Sequence, residues 1–184
     1  MSIRFHEILQ YPNKKLTTKS IDVKVIDNDL KNLFRDLENL AKKNSKEGIT
    51  LVGLSAPQLG LNVKAFIYYD LNKKKYIQVI NPKLVYSSKE LSTEWEGCAS
   101  VGVGAKSLFG PVTRSKTCQI EFLDLDGRDQ IVSVSNYMSH IILHEIDHLD
   151  GIIFLDRVKD PKMIMNAKEL DAYAEKHGGK YPKV

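Results

Sequence analysis

Between Asn28 and Lys43, apolar residues fall at Leu30, Leu33, Phe34, Leu37, Leu40 and Ala41. This three-and-four spacing puts them on one face of a helix. Asp27 or Asn28 can cap its start, and the stretch from Asn44 to Gly48 breaks it. The period then shortens. Val63 to Tyr69 and Tyr76 to Ile80 read as strands around a polar turn near Asn72. Thr117 to Leu125 and Gln130 to Val134 read as a hairpin closed at Asp126-Gly127. A second long helix is predicted from about Asn136 to Leu149, with Ser135 as its cap and Gly151 just beyond its end. Met138, Ile141, Ile142 and Leu149 give this helix an apolar surface that embeds it in the core. The tail from Pro161 to His177 reads as a peripheral helix. Antiparallel strands packed around one central helix make an α+β fold. No repeat or linker divides the sequence, so one domain over residues 1–184 is expected.

Composition narrows the function classes. Hydrophobic content of 42% and charged content of 27% are ordinary for a water-soluble globular domain. The net charge of +4 comes from scattered lysines such as Lys73-Lys74-Lys75, Lys180 and Lys183. That is not the dense basic stripe of a nucleic-acid binder, and no DNA partner is expected. Met1 to Glu7 lacks the apolar core of a signal peptide, and no segment approaches the apolar length that spans a bilayer. A reducing cytoplasm with no membrane partner is the expectation. Two cysteines, Cys98 and Cys118, do not make a disulfide scaffold. Cys118 sits in the alternating run Thr117 to Phe122 and reads as a strand residue.

The candidate chemistry lies in three segments. In His144-Glu145-Ile146-Asp147-His148, histidines four apart on a helix stand within about 40° around the axis and about 6 Å along it. Both imidazoles can reach one divalent metal, with Glu145 beside it. A third ligand must come from elsewhere, and Cys98 in Glu96-Gly97-Cys98 is the candidate. The third segment, Gly53-Leu54-Ser55-Ala56-Pro57-Gln58-Leu59-Gly60, is a turn presenting a carboxamide.

Taken in order, these segments resemble the peptide deformylases. That family has a glycine-containing segment ending in glutamine (here Gly53 to Gln58), then Glu-Gly-Cys-x-Ser (Glu96 to Ser100), then His-Glu-x-x-His-x-x-Gly (His144 to Gly151). Flanking pieces extend the similarity: Asn81-Pro82 after a strand, Pro111-Val112-Thr113-Arg114, and Phe154-Leu155-Asp156-Arg157. It covers about residues 3 to 160. Departures are Leu51, Ala99 and Leu143 at motif positions, Val101-Gly102 after the serine, and a longer stretch from Ser100 to Arg114. None removes a ligand or the glutamate; they bear on substrate fit.

The resemblance implies a metal-dependent hydrolase, with a deformylase-like fold, that removes the formyl group from formyl-methionyl nascent peptides. It implies Cys98, His144 and His148 as ligands of one divalent metal, ferrous iron in the cell, with zinc, nickel or cobalt able to replace it. Glu145 is then the general base, and Gln58 and the Ala99 backbone N–H are the oxyanion donors. Glu96 and Arg114 are expected to pair and orient the Cys98 loop, or to meet as an unrelated surface pair. Backbone groups of Val52, Gly53 and Gly97, with Leu54 next to them, are expected to bind the peptide as an added strand. Tyr137, His140 and Ile141 are expected to line the pocket for its first side chain. His140 is out of place in an apolar pocket and reads as a core histidine, a surface one or a change in specificity. Transient contact with the ribosome goes with this substrate. The alternatives are a deformylase-like protein that binds metal or peptide with little turnover, and a His-Glu-x-x-His zinc peptidase.

Overall fold

The computed structural model describes residues 7–45 and 51–182. Helix α1 (Asn28–Asn44) starts where the Asp27 carboxylate accepts from the Leu30 N–H at 2.9 Å. All six of its predicted apolar residues are buried. The predicted break from Asn44 onward reaches residues 46–50, which lie outside the described residues.

The strands are β1 (Gly53–Ser55), β2 (Ala65–Asp70), β3 (Lys75–Ser87), β4 (Leu91–Gly97), β5 (Leu108–Ser115), β6 (Thr117–Leu123), β7 (Asp129–Ser135) and β8 (Met165–Asn166). They form two antiparallel sheets, ordered β1-β2-β3-β6-β7 and β4-β5-β8. Strand β2 is buried on both faces. Ile67 joins the α1 core with Leu37 and Leu54, while Phe66 joins a second core with Ile120 and Ile142 of the second helix. That helix, α2 (Tyr137–Leu149), packs against β1, β2, β6 and β7 of the large sheet and against β5 of the small one. Antiparallel sheets around a central helix are therefore what the chain builds.

Local expectations need four corrections. Asn81-Pro82 does not follow a strand; it lies within β3, where the partner changes from β2 to β6 and the register shifts between Ile80 and Lys83. Asn81 sits there at φ 50°, and its carboxamide bonds both the N–H and the carbonyl of Val23, at 2.8 and 2.9 Å. Ser135 is the last residue of β7; the N-cap of α2 is Asn136, at φ 55° and without a side-chain cap bond. The tail is not one helix. Pro161–Met163 makes a 3₁₀ turn, β8 pairs with β5, and only Ala167–Lys176 is helical (α3), capped reciprocally by Asn166 and Glu169. Finally, β4 and β5 were not expected as strands. The α2-facing side of β4 carries Ser92 and Glu96, so its alternation is polar and hides from a hydrophobic count.

No helix among the described residues is long and apolar enough to cross a membrane. Cys98 and Cys118 are both free, and Cys118 is a buried strand residue as expected.

Candidate metal centre and peptide cleft

Helical spacing brings the His144 and His148 rings to 4.9 Å between centroids, nearly edge to face. Cys98 follows β4, in a turn closed by Val101 N–H donating to the Cys98 carbonyl at 2.9 Å. Its Sγ stands 3.2 Å from His148 Nε2. One donor atom from each of the three residues lies within 4.8 Å of the others, a spacing that fits a single metal ion. His144 Nδ1 is engaged by Glu96 at 3.0 Å, which leaves its Nε2 lone pair as the ligand. The His144 ring also stacks on Phe154 at 6.5 Å. Thiolate with two imidazoles is a donor set for borderline divalent metals.

The charges around the site favour that set. Burial alone would raise the Cys98 thiol, but the charges and hydrogen bonds of His148 and His144 outweigh it and bring Cys98 down to about 5. For His144 the burial effect is likewise overcome by Cys98 and Glu96, and the ring is held well above the usual histidine range. Because the folded thiol ionises below its unfolded value of 9.0, this ionisation stabilises the metal-free fold above that pH and is lost as pH falls through about 5. Thiolate absorbance of the metal-free protein should accordingly disappear near pH 5. Cys118, whose thiol burial pushes up, should add none at neutral pH. A transition of Cys98 near the ordinary thiol range would contradict this.

The expected Glu96–Arg114 pair is present and buried, not a surface pairing. Arg114 donates from Nε to Glu96 Oε1 at 2.6 Å and from Nη2 to Oε2 at 2.9 Å. Arg114 Nη1 also donates to Asp147 at 2.7 Å, and Arg157 grips the same carboxylate at 2.6 and 3.1 Å. Burial would raise the Glu96 carboxyl, but Arg114, His140 and His144 hold it well below the usual carboxylate range. Sequence reading missed Asp147, Arg157 and Ser92. The signal for Asp147 was available: a carboxylate between two ligand positions on a helix that must be buried.

Glu145 is buried against β1, and its Oε2 has no hydrogen-bond partner among the described residues. Burial first, and the Cys98 charge in addition, push its carboxyl up to about 7 against the opposing pull of His144 and His148. Gly53 is required here by space: a Cβ on it would come within 2.9 Å of Glu145 Cδ. Gln58 is also buried. Its Oε1 accepts from the N–H and hydroxyl of Ser55 at 2.8 and 2.9 Å, closing the turn, while Nε2 points to Ser100 Oγ at 3.2 Å and Cys98 Sγ at 3.5 Å. It thus ties down the turn and faces the centre at once.

A cleft of about 110 Å³ opens beside this group. β1 and β4 each form the edge of their sheet, and both border the cleft. Of the expected binding residues, Val52, Gly53, Gly97, Tyr137, His140 and Ile141 line it, as do Ala99 and Gln58. Leu54 does not. Gly53 faces α2, so by strand alternation the Leu54 side chain faces α1 and is fully buried there. Val52 is also corrected in part: its carbonyl accepts from the Tyr69 N–H at 2.8 Å within the sheet, so that carbonyl is not open to a peptide. The alternating ladder turns the polar groups of Gly53 to the free edge instead. His140 is a core histidine. Its Nδ1 meets Glu96 and its Nε2 meets Ser92, each at 3.0 Å, so it brings no unpaired polar atom to the cleft.

Comparison with known proteins points to one family. The family model described as polypeptide deformylase matches residues 5–163. The chain is 32% identical over 174 residues to peptide deformylase 1B, chloroplastic/mitochondrial, of Arabidopsis thaliana, covering 93% of this chain and 60% of that protein. It is 29% identical over 172 residues to the peptide deformylase of Borreliella burgdorferi, covering 94% and 97%. The crystal structure of a Synechococcus elongatus peptide deformylase in complex with actinonin superposes with a TM-score of 0.74 at 26% identity, covering 98% of this chain and 90% of that one. With the family model spanning most of its length, the chain belongs to the peptide deformylase family.

Proposed function

We propose that the chain performs its family's reaction, hydrolysis of the N-formyl group of formyl-methionyl nascent peptides to formate, at the centre formed by Cys98, His144 and His148. The observation that carries this reading is Glu145: a buried carboxylate with a free oxygen, brought to about 7, standing beside three converging ligand atoms. Cys98 Sγ, His144 Nε2 and His148 would hold the metal, which supplies Lewis acidity toward a water molecule and the formyl carbonyl. Glu145 accepts the proton of the attacking water and returns it to the leaving amine. The Gln58 amide and the Ala99 N–H donate to the developing oxyanion; the family's usual leucine at position 99 is not needed for that, because the donor is backbone. Gly53 and Gly97, on the two free edges, hold the extended peptide as an added strand. Tyr137 and Ile141, with the His140 ring, wall the pocket for its first side chain.

The residues 1–184 act as one catalytic domain. Ferrous iron is the metal this reading assigns, on the strength of the family resemblance. It places the work in the cytoplasm, on chains leaving the ribosome. Product mass spectrometry with formyl-methionyl-alanyl-serine tests the reading: loss of the formyl group alone supports it, and cleavage of an internal peptide bond would instead make the protein a peptidase. Gly53→Ala is expected to lower formate release about 100-fold by displacing the Glu145 carboxylate, with metal content unchanged. Release within threefold of the parent would mean that the carboxylate has room the structure denies it.

A further inference from the structure

An ionised carboxylate offers about four lone-pair sites, and all four of Glu96 are taken. Oε1 accepts from Arg114 Nε at 2.6 Å and faces His140 Nδ1 at 3.0 Å; Oε2 accepts from Arg114 Nη2 at 2.9 Å and faces His144 Nδ1 at 3.0 Å. Beyond it, His140 Nε2 lies 3.0 Å from Ser92 Oγ on β4. We propose that His140 is a positioning residue for the metal centre: it acts through Glu96 on the ligand His144, and Ser92 sets its ring.

Glu96 is paired with Arg114 and accepts only, so each imidazole must present an N–H at Nδ1. A neutral ring protonated at Nδ1 carries its lone pair at Nε2. On His144 that lone pair is the metal ligand. On His140 it receives the Ser92 hydroxyl, which selects the same tautomer from the other side. His140 and His144 are four apart on α2, on one face of the helix, so a single carboxylate bridges both rings and fixes the rotation of each against the other. With Glu96 and His140 both buried, an apolar residue at 140 leaves an oxygen of Glu96 short of a donor. Apart from His144 itself, the carboxylate is then held by Arg114 alone, and Arg114 is shared with Asp147. His140 therefore takes over orientation that a single arginine would otherwise provide.

This inference rests on the reading that Cys98, His144 and His148 bind the metal. The test is Co²⁺ affinity, measured by competition with a chromophoric chelator, together with the Co²⁺ visible spectrum, for the parent, His140→Leu, Ser92→Ala, Glu96→Gln and Glu96→Gln/His140→Leu. Outer partners of metal ligands are worth about 10–100-fold in affinity. His140→Leu is expected to weaken Co²⁺ about tenfold and to shift the spectrum, and Ser92→Ala to act in the same direction by about threefold. In the Glu96→Gln background His140→Leu should cost no further affinity, because its effect passes through the carboxylate. Full affinity and an unchanged spectrum in His140→Leu would overturn the inference, as would equal losses with and without Glu96. Should His140→Leu not fold, Ser92→Ala on its half-buried strand decides alone: unchanged affinity and spectrum reject the inference. A parent without thiolate-ligated Co²⁺ would instead overturn the metal-site reading beneath it.

Discussion

Glu145→Gln is expected to reduce formate release about 10²–10⁴-fold, the usual worth of a positioned general base, with bound metal equal to the parent's. The substitution keeps the shape of the side chain and removes only its ability to take a proton. Glu145 supplies none of the three converging ligand atoms. Its unpartnered oxygen and its pKa near 7 describe a group ready to accept a proton at neutral pH. A second consequence follows for the metal-free protein. The folded carboxyl titrates above its unfolded value of 4.5, so its contribution to stability is full below that pH and is lost as pH rises through about 7. Glu145→Gln should flatten that stretch of the stability profile. Formate release within a few-fold of the parent, with metal bound, would remove Glu145 from the role.

Arg114→Leu should be the costliest change to stability. It leaves Glu96 and Asp147 buried without their common cation, and breaking such a pair costs about 3–5 kcal/mol. Arg157 still partners Asp147 from its half-exposed position, so the loss centres on Glu96. Because Glu96 aims His144, metal affinity should fall along with stability. Urea unfolding of the metal-free variant and metal titration of the folded one measure the two effects separately. A stability loss under about 1 kcal/mol, the worth of a surface pair, would contradict the buried network.

Sequence and structure agree where one side chain face decides the element. The stripe from Leu30 to Ala41 must be buried together, and the β6–β7 hairpin carries its turn at Asp126-Gly127 in the chain itself. His144, Glu145 and His148 follow from helical spacing. The small sheet was hidden because β4 spends its inner face on the polar groups that hold the centre, and because the short β8 reaches β5 from a distant part of the chain. The fate of Leu54 was hidden for a related reason: strand alternation sends neighbours apart, and the motif does not say which of them faces α2. Nor could spacing show that Val52 uses its carbonyl within the sheet while Gly53 stays free. His140 stayed open between a core, a surface and a specificity role because its partners, Ser92 and Glu96, lie more than forty residues away in the chain.

The central claim is tested most directly by formate release from formyl-methionyl-alanyl-serine, using protein loaded with ferrous iron without oxygen. The account predicts sustained turnover that ends when the metal is chelated. A folded, metal-replete protein that releases no formate would contradict it.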